Sequence, residues 1–260
     1  MSNKNFRFIY NGVYHSHEAC NRKINLSFYK SKEYKEKQFR IIREVLKCLE
    51  KKQPIPTFFK QHTQYLVFLI SVIKKDNIKI LDFGGGWGIG YANLIESFNN
   101  KSLKNIDYHI FDLPELCHIG EKKFKNKIKI GKKLKFINDI SKIDNKYDLV
   151  FFGSSIQYFE NPLKTLSELL KKKITYLLFI DLYLTSSNTF YTKQSHYNFE
   201  ATHSFINIQK FETIFAKKYN ILNKNYSHTI RLNRVGFLDM SNFKKKYRIK
   251  STLNYLIKKK

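Results

Sequence analysis

Residues 80–90 read Ile-Leu-Asp-Phe-Gly-Gly-Gly-Trp-Gly-Ile-Gly. A β-rich run, Ile78–Phe83, leads into them, and a helical pattern to about Phe98 leads out. A strand, a glycine turn and a helix in that order direct the chain toward a sheet crossed by helices. Glycine permits a sharp turn and lets backbone N–H groups approach a ligand with no β-carbon in the way. The helix N-terminus adds donors and the positive end of a dipole, which suits a carboxylate. Asp82, at the strand end, suits a cationic amine, directly or through water. Together with Gly84, Gly86 and Gly88 it describes a seat for a zwitterionic amino-acid moiety.

From Ile78 onward strands alternate with helices. Further strands are expected at 107–112, 134–137, 147–153 and 174–181, and helices near 114–123 and 162–172. Asn161 and Pro162 open the last of these as N-cap and first-turn proline. Unbroken apolar runs such as Leu-Val-Phe-Phe at 149–152 indicate strands covered by helices on both faces. The predicted fold class is α/β: a Rossmann-like, mostly parallel, doubly wound sheet with a C-terminal antiparallel hairpin at 219–238 and an N-terminal helical extension. That extension, residues 1–56, holds an amphipathic helix over 33–50 with Phe39, Ile42, Val45, Leu46 and Leu49 at helical spacing. Pro54 and Pro56 end it. The main domain takes 57–240, beginning with a buried helix at 57–74. Within it, 182–204 reads as a polar loop or lid and 205–218 as a helix. Residues 241–260 read as a basic tail containing a short amphipathic helix.

A dinucleotide fingerprint, Gly-x-Gly-x-x-Gly/Ala, fails here, because its third position falls on Ile89, Tyr91 or Asn93. Other positions fit an adenosyl group joined to an amino acid. Asp112, closing the second strand, is placed to accept both ribose hydroxyls, and apolar Leu113 to lie against adenine. After the third strand, Asp139 is placed to take the adenine amino group and Ile140 to pack on the ring. The fourth strand ends at Ser154, on the carboxyl edge where open α/β sheets bind ligands. The cofactor that combines these parts is S-adenosyl-L-methionine.

With these residues in hand, the chain resembles the class I S-adenosylmethionine-dependent methyltransferases. Within them it is similar to a bacterial family of methyltransferases encoded among O-antigen and other surface-polysaccharide genes. The resemblance covers roughly residues 6–215 and rests on Gly12, Tyr14, Ser16, Glu18 and Ala19, on Leu81–Gly86, on Ser154–Tyr158, and on Asp181 and Gln194. His17 stands where that family tends to have Trp. The resemblance implies an enzyme that O-methylates a sugar or related small acceptor in surface-polysaccharide biosynthesis.

Methyl transfer from a sulfonium is an in-line displacement, so the protein mainly aligns the nucleophile and desolvates the site. An oxygen nucleophile of high pKa also needs a base within ~2.6–3.2 Å, or through one water. Candidates on the loops beyond strands four and five are Asp181, then His196, then His203; Ser154, Gln157 and Tyr158 are placed to orient the acceptor. No His, Cys or Asp spacing suggests a metal. A Pro-Pro-aromatic motif, a proline-preceded cysteine and paired glutamates after strand four are all absent. A hydroxyl or carboxyl acceptor remains.

The formal net charge is +27, from 48 Lys+Arg against 21 Asp+Glu. Only seven of those basic residues are Arg, the side chain that reads phosphate and base edges bidentately, so a nucleic-acid partner is disfavoured. An anionic glycan precursor, nucleotide- or lipid-linked, is the partner expected to be drawn by that charge, and the basic tail is expected to touch an anionic membrane surface. With no apolar run long enough to span a bilayer and three scattered cysteines, the expected location is cytoplasmic, peripheral to the membrane if the tail engages it. Two alternatives stay open: an RNA-binding protein or RNA methyltransferase using the basic surface and its aromatics, and an inactive methyltransferase-like scaffold.

Overall fold

Alternate residues of the strand Ile78–Phe83 enter opposite cores. Ile80 packs with Leu94, Tyr108 and Leu149 on one side, and Leu81 and Phe83 pack with Val150, Phe152 and Phe179 on the other. With both faces covered, this strand is mostly apolar, interrupted only by Lys79 near its start and Asp82 near its end. The computed structural model describes residues 9–24, 31–73, 75–128, 133–196, 199–231, 234–235 and 238–260.

In chain order the elements are β1 (Tyr10–Tyr14), α1 (His17–Asn21), α2 (Lys32–Glu50), α3 (Thr57–Lys60), α4 (Gln64–Val72), β2 (Ile78–Phe83) and α5 (Ile89–Ser97). Then come α6 (Asn100–Leu103), β3 (Ile106–Phe111), α7 (Pro114–Ile119), β4 (Leu134–Ile137), β5 (Lys146–Gly153), α8 (Pro162–Leu169) and β6 (Lys173–Leu182). The chain closes with β7 (Leu184–Thr185), β8 (Phe190–His196), β9 (Phe199–Asn207), α9 (Ile208–Phe215), β10 (Tyr219–Tyr226), β11 (Ile230–Arg231), β12 (Arg234–Val235) and β13 (Leu253–Lys259).

Seven strands form the main sheet in the order β10-β13-β6-β5-β2-β3-β4. β6, β5, β2, β3 and β4 run parallel, whereas β13 is antiparallel to both β6 and β10. Residues of α2, α4, α5 and α7 cover one face and residues of α8 and α9 the other. The α/β, doubly wound expectation is met, and Asn161 caps α8 by accepting from Lys164 N.

Four expectations are corrected. Residues 182–204 are not a loop: β1, β8, β9 and β7 form a second sheet in that order. The helix expected over 205–218 starts only at Ile208, because 199–207 is strand. Of the hairpin expected over 219–238, only the short antiparallel pair β11–β12 is present, with Ile230 opposite Val235 and Arg231 opposite Arg234; β10 pairs instead with β13, from Tyr219 opposite Lys259 to Tyr226 opposite Leu253. The supposed basic tail therefore supplies an inner strand of the main sheet, with Tyr255 and Ile257 fully buried, and leaves no amphipathic helix for a membrane surface. Across residue 56, Ile42 and Val45 of α2 share a core with Ile80 of β2 and Leu94 of α5.

A third core joins the second sheet to the C-terminal segment through Tyr10, Tyr183, Phe190, Phe205, Met240 and Phe243. The largest fully buried side chains are all Tyr or Phe, so core packing uses many of the aromatics that a base-stacking surface would need. Cys20, Cys48 and Cys117 are free. Among the described residues no helix is long and apolar enough to cross a membrane, and no His/Cys/Asp/Glu cluster could hold a metal ion.

Candidate functional site

Pairing of β2 with β3 sets Asp82 opposite Ile110 and Phe83 opposite Phe111, so the turns that follow them lie side by side at the carboxyl edge of the sheet. Two hydrogen bonds join these turns: Gly84 N donates to Phe111 O at 2.7 Å and Gly86 N donates to Asp112 Oδ2 at 2.6 Å. Gly84 and Gly86 hold φ of +79° and +61°, a region that other residues seldom occupy. A β-carbon on Gly86 would project into open space, where a ligand can approach the backbone directly.

Two cavities meet at this turn, and both are lined by Gly84 and Gly86. The larger, about 520 Å³, extends past Asp112, Leu113 and Asn138 to Ser154, Tyr158 and Glu160. The smaller, about 160 Å³, is lined by Asp82, Gln38, His62, Thr63 and Gly153 among others.

The two acids at the strand ends differ in their surroundings. Asp82 is buried and accepts from Tyr108 Oη at 2.7 Å. Burial pushes its pKa up to about 7, with the Tyr108 hydrogen bond opposing and the Asp112 charge adding to the rise. Asp112 accepts from Gly86 N and, at 2.7 Å, from Leu113 N; these bonds oppose a burial effect that pushes it up to about 6. Each carboxylate retains lone pairs for a ligand. Leu113 is 45% exposed and lies on the cavity wall, an apolar shelf beside an acid.

The remaining expected residues divide. Ser154 lines the larger cavity on left-handed backbone, φ +59°. Its hydroxyl accepts from Gln157 Nε2 at 2.9 Å and donates to Asp181 Oδ2 at 3.2 Å. Gly88 caps the start of α5 with φ +109°. Asp139 and Ile140 line neither cavity at the turn. Asp139 is instead an exposed cap whose carboxylate accepts from Ser141 N at 2.9 Å and Ser141 Oγ at 2.7 Å, bonds that lower its pKa. The preceding residue, Asn138, faces the larger cavity.

Asp181 is buried, lines neither cavity, and accepts from Ser154 Oγ and Thr252 Oγ1. That placement contradicts direct contact with an acceptor. His203 is buried among the rings of Tyr10, Tyr158, Tyr183 and Phe205, off the cavity wall. His196 ends β8, and its side chain lies outside the described residues.

Sequence reasoning missed His62 and Tyr34, and set aside His17. All three line the cavities. His17 starts α1, capped by Ser16, and burial lowers its pKa despite the nearby Glu160. The N-terminal element reaches the site because β1 pairs with β8. Tyr158, on the cavity wall, donates to Gln194 Oε1 of β8 at 2.8 Å.

No family model and no curated protein matches the sequence. Among solved structures, magnesium protoporphyrin IX methyltransferase from Synechocystis PCC 6803 with bound SAH is 12% identical, covering 78% of this chain and 84% of its own, with a TM-score of 0.51. The mitomycin 7-O-methyltransferase MmcR is 10% identical over 90% of this chain and 61% of its own, also with a TM-score of 0.51. The chain has the class I methyltransferase fold. In this methyltransferase fold the glycine turn, Asp112 and Ser154 stand together at the carboxyl ends of adjacent strands β2, β3 and β5.

Proposed function

We propose that this protein is an S-adenosylmethionine-dependent methyltransferase that O-methylates a sugar or related small acceptor of surface-polysaccharide biosynthesis. The observation that carries the reading is the meeting of two cavities at Gly84 and Gly86, one holding Asp112 and an apolar shelf, the other holding Asp82. Asp112 accepts the ribose hydroxyls, Leu113 and Asn138 flank the adenine, and Asp82 faces the ammonium group. When bound, the donor supplies an electrophilic methyl group on a sulfonium. Ser154, fixed by Gln157 and Asp181, and Tyr158, fixed by Gln194, orient the acceptor.

Asp181 acts in this reading as a positioning residue for Ser154. The base in this reading is a histidine: His17, which lines the larger cavity and which burial favours in its neutral form, or His196 of β8. Among the described residues lining the larger cavity, Asp112 and Glu160 are the acids and there is no Lys or Arg. The reacting end of the acceptor is therefore uncharged, and any anionic portion lies outside, toward the lysine-rich surface. The polysaccharide assignment is supported by the sequence resemblance at Gly12–Ala19, Leu81–Gly86 and Ser154–Tyr158.

Titration calorimetry with S-adenosylmethionine tests the donor. The wild type is expected to bind, and Asp112→Ala to bind at least tenfold more weakly; no heat from a folded wild type overturns the reading in favour of a scaffold. Mass spectrometry of the cell-surface glycan with and without the gene tests the acceptor, and an unchanged methylation pattern argues against a polysaccharide.

A further inference from the structure

We infer that His62, which stands beside Asp181, anchors the carboxylate of the donor's amino-acid end in the smaller cavity. The inference rests on the donor proposed above and concerns a contact that Asp82, itself an anion, does not supply.

His62 lies between α3 and α4, in a segment fastened to the helix that follows the glycine turn. Glu96 of α5 accepts from Ile55 N at 2.8 Å and from Lys60 Nζ at 2.6 Å, and Asn93 Nδ2 of the same helix donates to Thr63 Oγ1 at 2.9 Å. These bonds bracket His62 on both sides along the chain. A β-carbon on Gly153 would lie 3.7 Å from His62 Cβ, so His62 stands against the end of β5, beside Ser154. His62 Nε2 is buried, makes no hydrogen bond, and lies 3.5 Å from Asp181 Oδ2.

Asp181 is well fixed for such a role. Its backbone is left-handed, φ +63°, a conformation that persists in a non-glycine residue only where the surroundings enforce it. Its N–H donates to Asn254 Oδ1 at 2.9 Å, and Ser154 Oγ and Thr252 Oγ1 donate to its carboxylate. Three strand ends thus hold one acid beneath one imidazole.

Charge decides what the imidazole does. Among the described residues lining the smaller cavity, Asp82 is the one acid and His62 is the one side chain able to carry positive charge. A zwitterion brings an ammonium group and a carboxylate together. The ammonium is matched by Asp82, whereas a carboxylate with no cationic partner would be repelled by the same Asp82 in a partly buried space. With Nε2 turned to Asp181, the other ring nitrogen, Nδ1, is left as the donor to the ligand carboxylate.

The test compares S-adenosylmethionine with its decarboxylated analogue, which keeps the adenosyl, sulfonium and ammonium groups, by calorimetry on the full chain. The wild type is expected to prefer S-adenosylmethionine by tenfold or more. In His62→Ala that preference should collapse through loss of affinity for S-adenosylmethionine, with little change for the analogue. His62→Gln, which keeps a neutral donor, should restore part of it, and Asp181→Asn should weaken it if the variant retains a cooperative thermal transition. A wild-type affinity ratio in both folded His62 variants overturns the inference while leaving the donor reading intact. A wild type that binds neither ligand removes both.

Discussion

Tyr108 donates to Asp82, and Gly90 lies against both. A β-carbon on Gly90 would be 2.7 Å from Asp82 Oδ2 and pressed against the Tyr108 hydroxyl. Alanine in a helix interior ordinarily gains up to ~1 kcal/mol over glycine, but forced contact with two buried, mutually bonded groups costs ~1–3 kcal/mol. Gly90→Ala is therefore expected to destabilise the protein by about 1–2 kcal/mol in urea unfolding, and stabilisation would contradict the packing at Asp82. The Asp82 carboxyl itself has a pH signature. Its pKa is pushed up to about 7 in the folded chain against an ordinary value of 3.8, so the folded state holds the proton longer than the unfolded state does. Below pH 4 both states are protonated and the group is neutral in its effect; from pH 4 to 7 it increasingly disfavours folding. Asp82→Asn should match the wild type in stability near pH 4 and exceed it by about 2–4 kcal/mol above pH 7, while losing donor affinity. Parallel stability profiles for the two proteins would contradict this. Asp82, Gly84, Gly86 and Asp112 were legible in the sequence because strand-end acids and a glycine turn are local patterns. Asp139 is less legible, because an acid after a strand is equally a cap, as its bonds to Ser141 show. His62 gave no local signal, since the acid it stands beside, Asp181, is more than a hundred residues away.

Strands buried on both faces by apolar neighbours were easy to read, as β2, β5 and β6 show. β9 was not, because Thr202, His203 and Ser204 are buried polar residues and erase the alternation that normally marks a strand. β13 was hidden by its company: lysines at both ends suggested a solvated helix, yet Asn254, Tyr255 and Ile257 are buried between β10 and β6. Side-chain bonds tie it inward as well. Asn254 Oδ1 accepts from Asp181 N, and Tyr255 Oη donates to Glu212 Oε1 at 2.7 Å. As an inner strand, β13 should show amide hydrogen exchange as slow as β5, and truncation after residue 250 should abolish cooperative unfolding. Rapid exchange at Tyr255 and Ile257, or a truncated chain that melts as the full chain does, would place this segment outside the sheet.

For the molecule as a whole, the charge of +27 and the chemistry of the site separate. The described lining of both cavities at the glycine turn contains no Lys or Arg, while the lysines lie elsewhere. Attraction of polyanions is then an unspecific property of the exterior, governed by counterion release, and donor binding is not. RNA affinity should fall steeply between 50 and 200 mM salt, by an estimated ~10³-fold or more if about six phosphates are engaged, whereas S-adenosylmethionine affinity should change less than threefold. Salt-resistant RNA binding would favour a nucleic-acid role. The fold brings one ligand's worth of chemistry to the carboxyl edge of the sheet, and this is most directly tested by a crystal structure with S-adenosylhomocysteine. The adenine is expected against Leu113 and Asn138, the ribose hydroxyls on Asp112, and the amino-acid end in the smaller cavity between Asp82 and His62. A ligand bound away from the Gly84–Gly86 turn, or one whose ribose does not meet Asp112, would contradict it.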